Sequence, residues 1–269
     1  MLETRDLTIR FGGHVAVDRV SCAFTPGTLT AIVGPNGAGK TTYFNLVSGQ
    51  LKPSAGSVWL SGTEITAESV SARTHRGLGR AFQLTQLFPN LTVLENVRLA
   101  VQSRRREGLS LFSVWLDRRE TLERARALVD TVRLGDRIDA PASSLPHGDQ
   151  RKLEVAMLMA LEPSVYMFDE PTAGMSVDDV PVILDLIRHL KAEADKTILL
   201  VEHKMDVVRE LADRIIVLHN GQLVADGEPN EVIASPIVQQ AYLGLAPEAG
   251  ELIGDEPTVP AFRIERGRG

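Results

Sequence analysis

From Met1 to Val33 apolar and polar residues alternate, with breaks at Gly12-Gly13 and Pro26-Gly27. A period of two puts every second side chain on one face, so this segment predicts several short strands. Thr28 to Val33 (TLTAIV) is a strongly β-forming run that feeds into GPNGAGKTT, and a helix is expected from Lys40 to about Gly49. Gly56 to Leu60 (GSVWL) predicts another strand. From about Leu84 to Ala160 helical periodicity takes over, with many arginines and turn-rich pieces such as APASS at 140–144. This stretch is expected to form a helical subdomain inserted between two parts of an α/β core. Val165 to Phe168 (VYMF) and Thr197 to Val201 (TILLV) are continuous apolar runs, as strands buried on both faces of a parallel sheet require. Between them Ile183, Leu186, Ile187 and Leu190 share one helix face. Ile215–Leu218 and Gln222–Ala225 flank Asn220-Gly221, a strong hairpin signal. Ser235-Pro236 reads as an N-cap and first helical residue. After Gly244 the chain is rich in Pro, Gly and Glu, which predicts a poorly ordered tail over residues 245–269. No internal repeat or low-complexity block is evident.

Composition narrows the function classes. The 269 residues suit one large domain or two closely joined ones with a sizeable core. A net charge of −6 does not suit a phosphate-backbone binder, so no nucleic-acid partner is expected. The single cysteine, Cys22, excludes an internal disulfide and a multi-cysteine metal site, which fits a reducing cytosol. The opening MLETRDLTIR carries acids and no apolar run, so no secretory signal is expected. Apolar stretches fall well short of the ~20 residues needed to span a bilayer. If the protein works at a membrane, another chain does the spanning.

The chemistry begins at Gly34-Pro35-Asn36-Gly37-Ala38-Gly39-Lys40-Thr41, which matches G-x-x-x-x-G-K-[ST] and is followed by Thr42. Glycines let the backbone turn its N–H groups onto phosphate oxygens, and the following helix adds its positive end. Lys40 is placed to reach the β- and γ-phosphates, and the Thr41 hydroxyl to ligate Mg²⁺. The required context is present, a strand before and a helix after. Asp169 and Glu170 follow the apolar run VYMF, at the strand end where ligands of α/β sheets sit. There Asp169 is expected to hold Mg²⁺ and Glu170 to orient or deprotonate water. His203 after TILLV and Gln83 in RAFQ are ordinary residues when taken singly. Beside the two sites above, His203 becomes a candidate for contacting the γ-phosphate.

Taken in order, Phe11, GPNGAGKT, Gln83, LPHGDQ, VYMFDE, AGMS and His203 resemble an ABC ATPase over residues 2 to about 244. The resemblance implies a P-loop NTPase core with an antiparallel β subdomain and an inserted helical subdomain at about 84–160. It implies that Phe11 stacks on adenine and that Gly34 to Thr41 form the Walker A loop. Gln83 becomes the Q-loop residue linking Mg²⁺ and water to the helical subdomain and the membrane partner. Asp169 and Glu170 become the Walker B aspartate and catalytic glutamate, and His203 the H-loop switch. Leu145, Pro146, His147, Gly148, Asp149 and Gln150 occupy the signature, which in this family faces the ATP of a second ATPase subunit. Thr41, Gln83 and Asp169 are the expected metal-site residues.

Finer wording resembles the ATPases of branched-chain amino-acid importers and of relatives serving urea and short amides: TTYFN, GLGRAFQLTQLFPNLTVLENV, RKLEVAM, DEPTAGM and QQAYLG. That implies transmembrane permease subunits as partners, a solute-binding protein acting indirectly, and a homo- or heterodimer peripheral to the cytoplasmic face of the membrane. Two departures stand out. Pro146 replaces the signature serine and cannot donate a hydrogen bond, and Ser176 stands where many relatives carry an aspartate. An ATPase of a lipid or lipopolysaccharide exporter, and a weakly hydrolytic regulatory subunit, are the alternative functions. A GTPase is excluded: His203-Lys204-Met205-Asp206 has His where Asn is needed, and Asp169-Glu170-Pro171-Thr172 lacks the glycine of D-x-x-G.

Overall fold

The computed structural model describes residues 1–81, 87–105, 114–236 and 238–239. Where several short strands are expected, the chain opens with two long ones, β1 (Leu2–Phe11) and β2 (His14–Phe24), paired antiparallel through a turn at Gly12. Register shifts between Thr4 and Leu7, and left-handed backbones at Asp6 and Arg19, interrupt the alternation without ending the strands. Bulges of this kind bend and twist a strand while keeping its pairing. Then follow β3 (Leu29–Val33), α1 (Lys40–Ser48), β4 (Ala55–Leu60), β5 (Thr63–Glu64), α2 (Val70–His75) and β6 (Leu78–Ala81). Three helices, α3 (Val93–Arg105), α4 (Val114–Thr131) and α5 (His147–Ala160), fill the region where helices are expected. The remainder is β7 (Val165–Asp169), α6 (Val180–Lys191), β8 (Thr197–Val201), α7 (Met205–Leu211), β9 (Arg214–His219), β10 (Gln222–Gly227) and α8 (Pro229–Ala234).

The strands make two sheets. One is antiparallel, ordered β2-β1-β4-β5; the other is ordered β10-β9-β3-β8-β7-β6 and is parallel except for β10. Burial of both faces explains the unbroken apolar runs of the central strands. In β7, Val165 and Met167 join one core with Leu199 and Val201 of β8, while Tyr166 and Phe168 face the other side with Ile198 and Leu200. Helix α1 lies between the two sheets, with Tyr43, Phe44, Leu46 and Val47 packed against Leu7 and Val20 on one side and Ile32 and Met167 on the other. The opposite core joins the parallel sheet to α3, α4, α5 and α6. Asn220 and Gly221 both have positive φ, the primed turn that an Asn-Gly hairpin needs. Ser235 caps the next helical turn, its hydroxyl accepting from the Val238 N–H at 3.4 Å.

The C-terminal end of α1 is fastened by an arginine that patterning does not reveal. Arg73, 1% exposed, donates from Nη1 to the Leu46 and Val47 carbonyls at 2.8 and 2.6 Å and from Nη2 to the Thr66 carbonyl at 2.8 Å. The last carbonyls of a helix have no partner within it, and a buried cation there also complements the helix dipole. The helix carrying Lys40 at its first turn is thus held at its other end.

Candidate site at the ends of the parallel strands

Three neighbouring strands, β3, β8 and β7, end on the same edge of the sheet, and each runs into one of the expected motifs. The loop after β3 is Gly34 to Gly39. Two of its glycines are required by space as well as by φ. A Cβ on Gly34 (φ +151°) would lie 2.1 Å from the Leu218 carbonyl oxygen, and one on Gly39 (φ +98°) 2.4 Å from that of Ala16. Gly39 is also the N-cap of α1, and with no side chain capping the helix there, its first amides are left for another acceptor. Lys40 is buried and turns back into the loop, donating to the Gly34 carbonyl at 2.6 Å and the Pro35 carbonyl at 2.9 Å. Burial lowers its pKa, while the carboxylates of Glu170 and Asp169 act in the opposite direction. Thr41 and Asn36 are exposed, and Ala38 is buried.

Past β7, Glu170 sits in a left-handed backbone (φ +51°), which in a non-glycine residue costs about 1–3 kcal/mol and is often found at functional sites. Its N–H donates to the Val201 carbonyl at 2.9 Å, and its Oε1 lies 2.7 Å from His203 Nε2. The carboxylate and imidazole are thus brought together from the ends of adjacent strands. The loops carrying them are joined by a residue that the sequence reading missed, Glu202. Buried, it accepts from the Thr172 hydroxyl at 2.5 Å and from the His203 N–H at 2.8 Å. Nothing in the pattern VEH marks that role, because it depends on a contact between two loops.

Asp169 is tied to Arg80, also missed, whose Nη2 donates to Oδ2 at 2.7 Å. Phe11 is 51% exposed at the tip of the β1–β2 hairpin. Gln83 lies outside the described residues; β6 ends at Ala81, on the strand beside β7. Thr41 and Asp169 offer a hydroxyl and a carboxylate, hard oxygen donors that fit Mg²⁺ and would suit no soft metal.

Leu145 to Gln150 opens α5. Pro146 occupies the N-cap position with φ −57° and ψ 157°, one residue before the first helical turn, and its carbonyl accepts from the Gln150 N–H at 3.0 Å. Gln150 Nε2 donates to the Leu145 carbonyl at 2.9 Å. Asp149 pairs with Arg137 and with Lys152, and Lys152 also reaches Asp179 at 2.6 Å. Asp179 accepts from the Ser176 hydroxyl at 2.7 Å. The start of α5 is therefore clasped to the segment that follows Glu170. Gly148 is needed there, since a Cβ would meet Asp179 Oδ2 at 2.5 Å.

Comparison with known proteins agrees with this geometry. Residues 17–173 match the family model described as ABC transporter. The chain is 36% identical over 251 residues to LivG of Escherichia coli (strain K12), a high-affinity branched-chain amino acid transport ATP-binding protein, covering 91% of this chain and 98% of that one. Among solved structures, an ATP-binding cassette of an ABC transporter in its ADP conformation superposes with a TM-score of 0.76 at 30% identity, covering 91% of this chain and 99% of that one. A dimeric cassette in a post-hydrolysis state, bound to ADP and Pi, gives a TM-score of 0.73 at 25% identity, covering 85% and 99%.

Proposed function

The chain belongs to the ABC transporter family, and on that premise we propose that it is the ATP-hydrolysing subunit of an importer of branched-chain amino acids, or of urea and short amides. The observation carrying the catalytic part is the common edge of β3, β8 and β7, where the Lys40 loop, His203 and the Asp169-Glu170 pair meet. The LivG name of the relative supports the cargo class, together with the importer wording around Gln83.

In this reading the loop amides and Lys40 grip the phosphates. Lys40 leaves the Gly34 and Pro35 carbonyls for the β- and γ-phosphate oxygens, so binding exchanges two neutral acceptors for charged ones. Phe11 offers its exposed face to the adenine. Thr41, Asp169 and Gln83 would hold Mg²⁺, which when bound would neutralise charge on the phosphates. Glu170 orients the attacking water and accepts its proton, and His203 turns from Glu170 to the γ-phosphate. Hydrolysis yields ADP and phosphate.

Among the described residues no helix is long and apolar enough to cross a membrane. The subunit works from the cytoplasmic face beside transmembrane permeases, with a solute-binding protein upstream, as one half of an ATPase dimer. Reconstitution with its permeases and partner ATPase, in vesicles loaded with ATP and supplied outside with the solute-binding protein, tests the assignment. ATP-dependent uptake of leucine or urea supports it; export, or no solute movement with turnover intact, overturns it.

The docking face includes Phe88, which is 48% exposed, and Leu87, with Leu84 in the part outside the described residues. Asn96 fixes this loop, accepting from the Phe88 N–H at 2.8 Å and donating to the Phe88 and Thr92 carbonyls. A short permease helix seated there makes Phe88 an apolar anchor. Phe88→Asp is expected to abolish coupled transport while ATP affinity and thermal stability stay near wild type, since substitutions at exposed positions usually change stability by less than ~0.5 kcal/mol. Uptake that persists at the wild-type rate removes Phe88 from the docking site.

Beside a second, different ATPase chain that keeps the signature serine, the signature proline would make the two ATP sites unequal. The chain's own site is intact, but Pro146 gives the partner's ATP no hydroxyl donor, a loss of about 1–3 kcal/mol. Pro146→Ser is expected to raise turnover of the assembled transporter several-fold. The φ and ψ of Pro146 are already those of a serine N-cap, so the replacement is accommodated. Unchanged turnover would sink the asymmetry.

A further inference from the structure

The buried pair Arg80–Asp169 has side chains only 3% and 5% exposed, and its arginine does more than neutralise a carboxylate. From Nη1 it also donates to Asn45 Oδ1 at 2.7 Å and Ser48 Oγ at 2.9 Å. Its guanidinium carbon stands 5.3 Å from the centre of the Phe44 ring. Asn45, Ser48 and Phe44 all belong to α1, the helix that begins with Lys40 and Thr41. Arg80 itself lies on β6, one residue before the segment that leads to Gln83. One planar fork thus links the strand of Asp169, the helix of Thr41 and the strand before Gln83. Two of these elements carry Asp169 and Thr41, and the third precedes Gln83 in the chain.

A buried ion pair alone is weak evidence of a functional role, because desolvation offsets much of its attraction. The division of contacts is more informative. Among the described residues, Arg80 Nη2 donates to the Oδ2 oxygen of Asp169 while Nη1 donates to the phosphate helix. We infer that Arg80 is a positioning residue for magnesium: by holding Oδ2 it fixes the rotation of the Asp169 carboxylate and leaves Oδ1 for the metal, and it holds that carboxylate in register with α1. This rests on the ATPase reading above and extends it to a residue not among the expected site residues. The role calls for arginine, since a lysine is a point charge without the fork that spans an acid on one strand and two oxygens on a helix.

The test measures binding alone, on the full-length chain with the nonhydrolysable analogue AMP-PNP, in EDTA and across a Mg²⁺ titration. Loss of a residue that orients a metal ligand typically lowers metal affinity about 10–100-fold, so Arg80→Met is expected to weaken apparent Mg²⁺ affinity at least tenfold. Analogue affinity in EDTA is expected to stay within about twofold of wild type, because the loop amides and Lys40 keep their own contacts. Arg80→Lys is expected to recover little. Should Arg80→Met fail to fold, Asn45→Ala combined with Ser48→Ala keeps the ion pair but cuts the tie to α1, and a smaller loss of Mg²⁺ affinity is expected. Three results overturn the inference: unchanged Mg²⁺ affinity in these variants, equal losses with and without Mg²⁺, or full recovery in Arg80→Lys. A wild-type chain that binds no nucleotide under either condition overturns the ATPase reading itself, and this inference with it.

Discussion

Replacing Glu170 by glutamine is expected to lower ATP turnover of the assembled transporter by about 10²–10⁴-fold, the range for loss of a positioned general base, and to leave ATP binding in place. At 1.36 kcal/mol per tenfold, that is about 3–5 kcal/mol of transition-state stabilisation. The geometry says why binding survives. Glu170 is anchored by its own backbone to Val201 and Ala173, and its carboxylate faces His203, whereas the phosphate grip belongs to the loop after β3. Glutamine keeps the shape and a hydrogen-bonding oxygen at that place but cannot take a proton. The variant should therefore accumulate in the ATP-bound, closed dimer, visible as a dimer peak in size-exclusion chromatography with ATP and Mg²⁺. Turnover within tenfold of wild type would take the base role away from Glu170.

Lys40→Met removes the second large contribution, this time from binding. Two charge-assisted bonds to phosphate are worth about 1.5–3 kcal/mol each. Against them stand the two contacts Lys40 already makes to the Gly34 and Pro35 carbonyls, which must be given up when nucleotide enters. Because the phosphate oxygens are charged and the carbonyls are not, a net loss of about 2–3 kcal/mol is expected, roughly 30–150-fold in ATP affinity at 1.4 kcal/mol per tenfold. Methionine retains the apolar stem, so the packing of α1 is kept. Calorimetric titration with ATP reads the change directly. An affinity within threefold of wild type would show that the loop amides carry the phosphates without Lys40.

Taken together, these variants test three separate proposed roles: Lys40 for grip, Glu170 for chemistry, Arg80 for the arrangement of Asp169. The sequence made the first two legible for a physical reason. Triphosphate chemistry needs a fixed local order of residues, glycines then lysine then hydroxyl, and a carboxylate pair directly after a buried strand. Local order is what a sequence displays. The same holds for the central strands: β7 and β8 read as unbroken apolar runs because both faces are covered, and the hairpin at Asn220-Gly221 needs two adjacent residues that tolerate positive φ.

What the chain order could not display are contacts made across long separations. β6 is four residues long and holds an arginine, so by pattern it is no strand; its burial comes from pairing with β7, 87 residues later for Leu78 and Val165. The long β1 and β2 were hidden for the opposite reason, since bulges at Asp6 and Arg19 break the alternation that would have announced them. Arg80, Arg73 and Glu202 look in sequence like ordinary surface charges. Each is buried because its partners arrive from other elements: Asp169 and α1 for Arg80, the end of α1 for Arg73, Thr172 for Glu202. The sequence by itself carried the ATPase reading, because that reading rests on motifs of fixed local order. Only the tertiary structure decided which buried charges hold those groups still, because a charge out of water needs a partner and the fold alone supplies one.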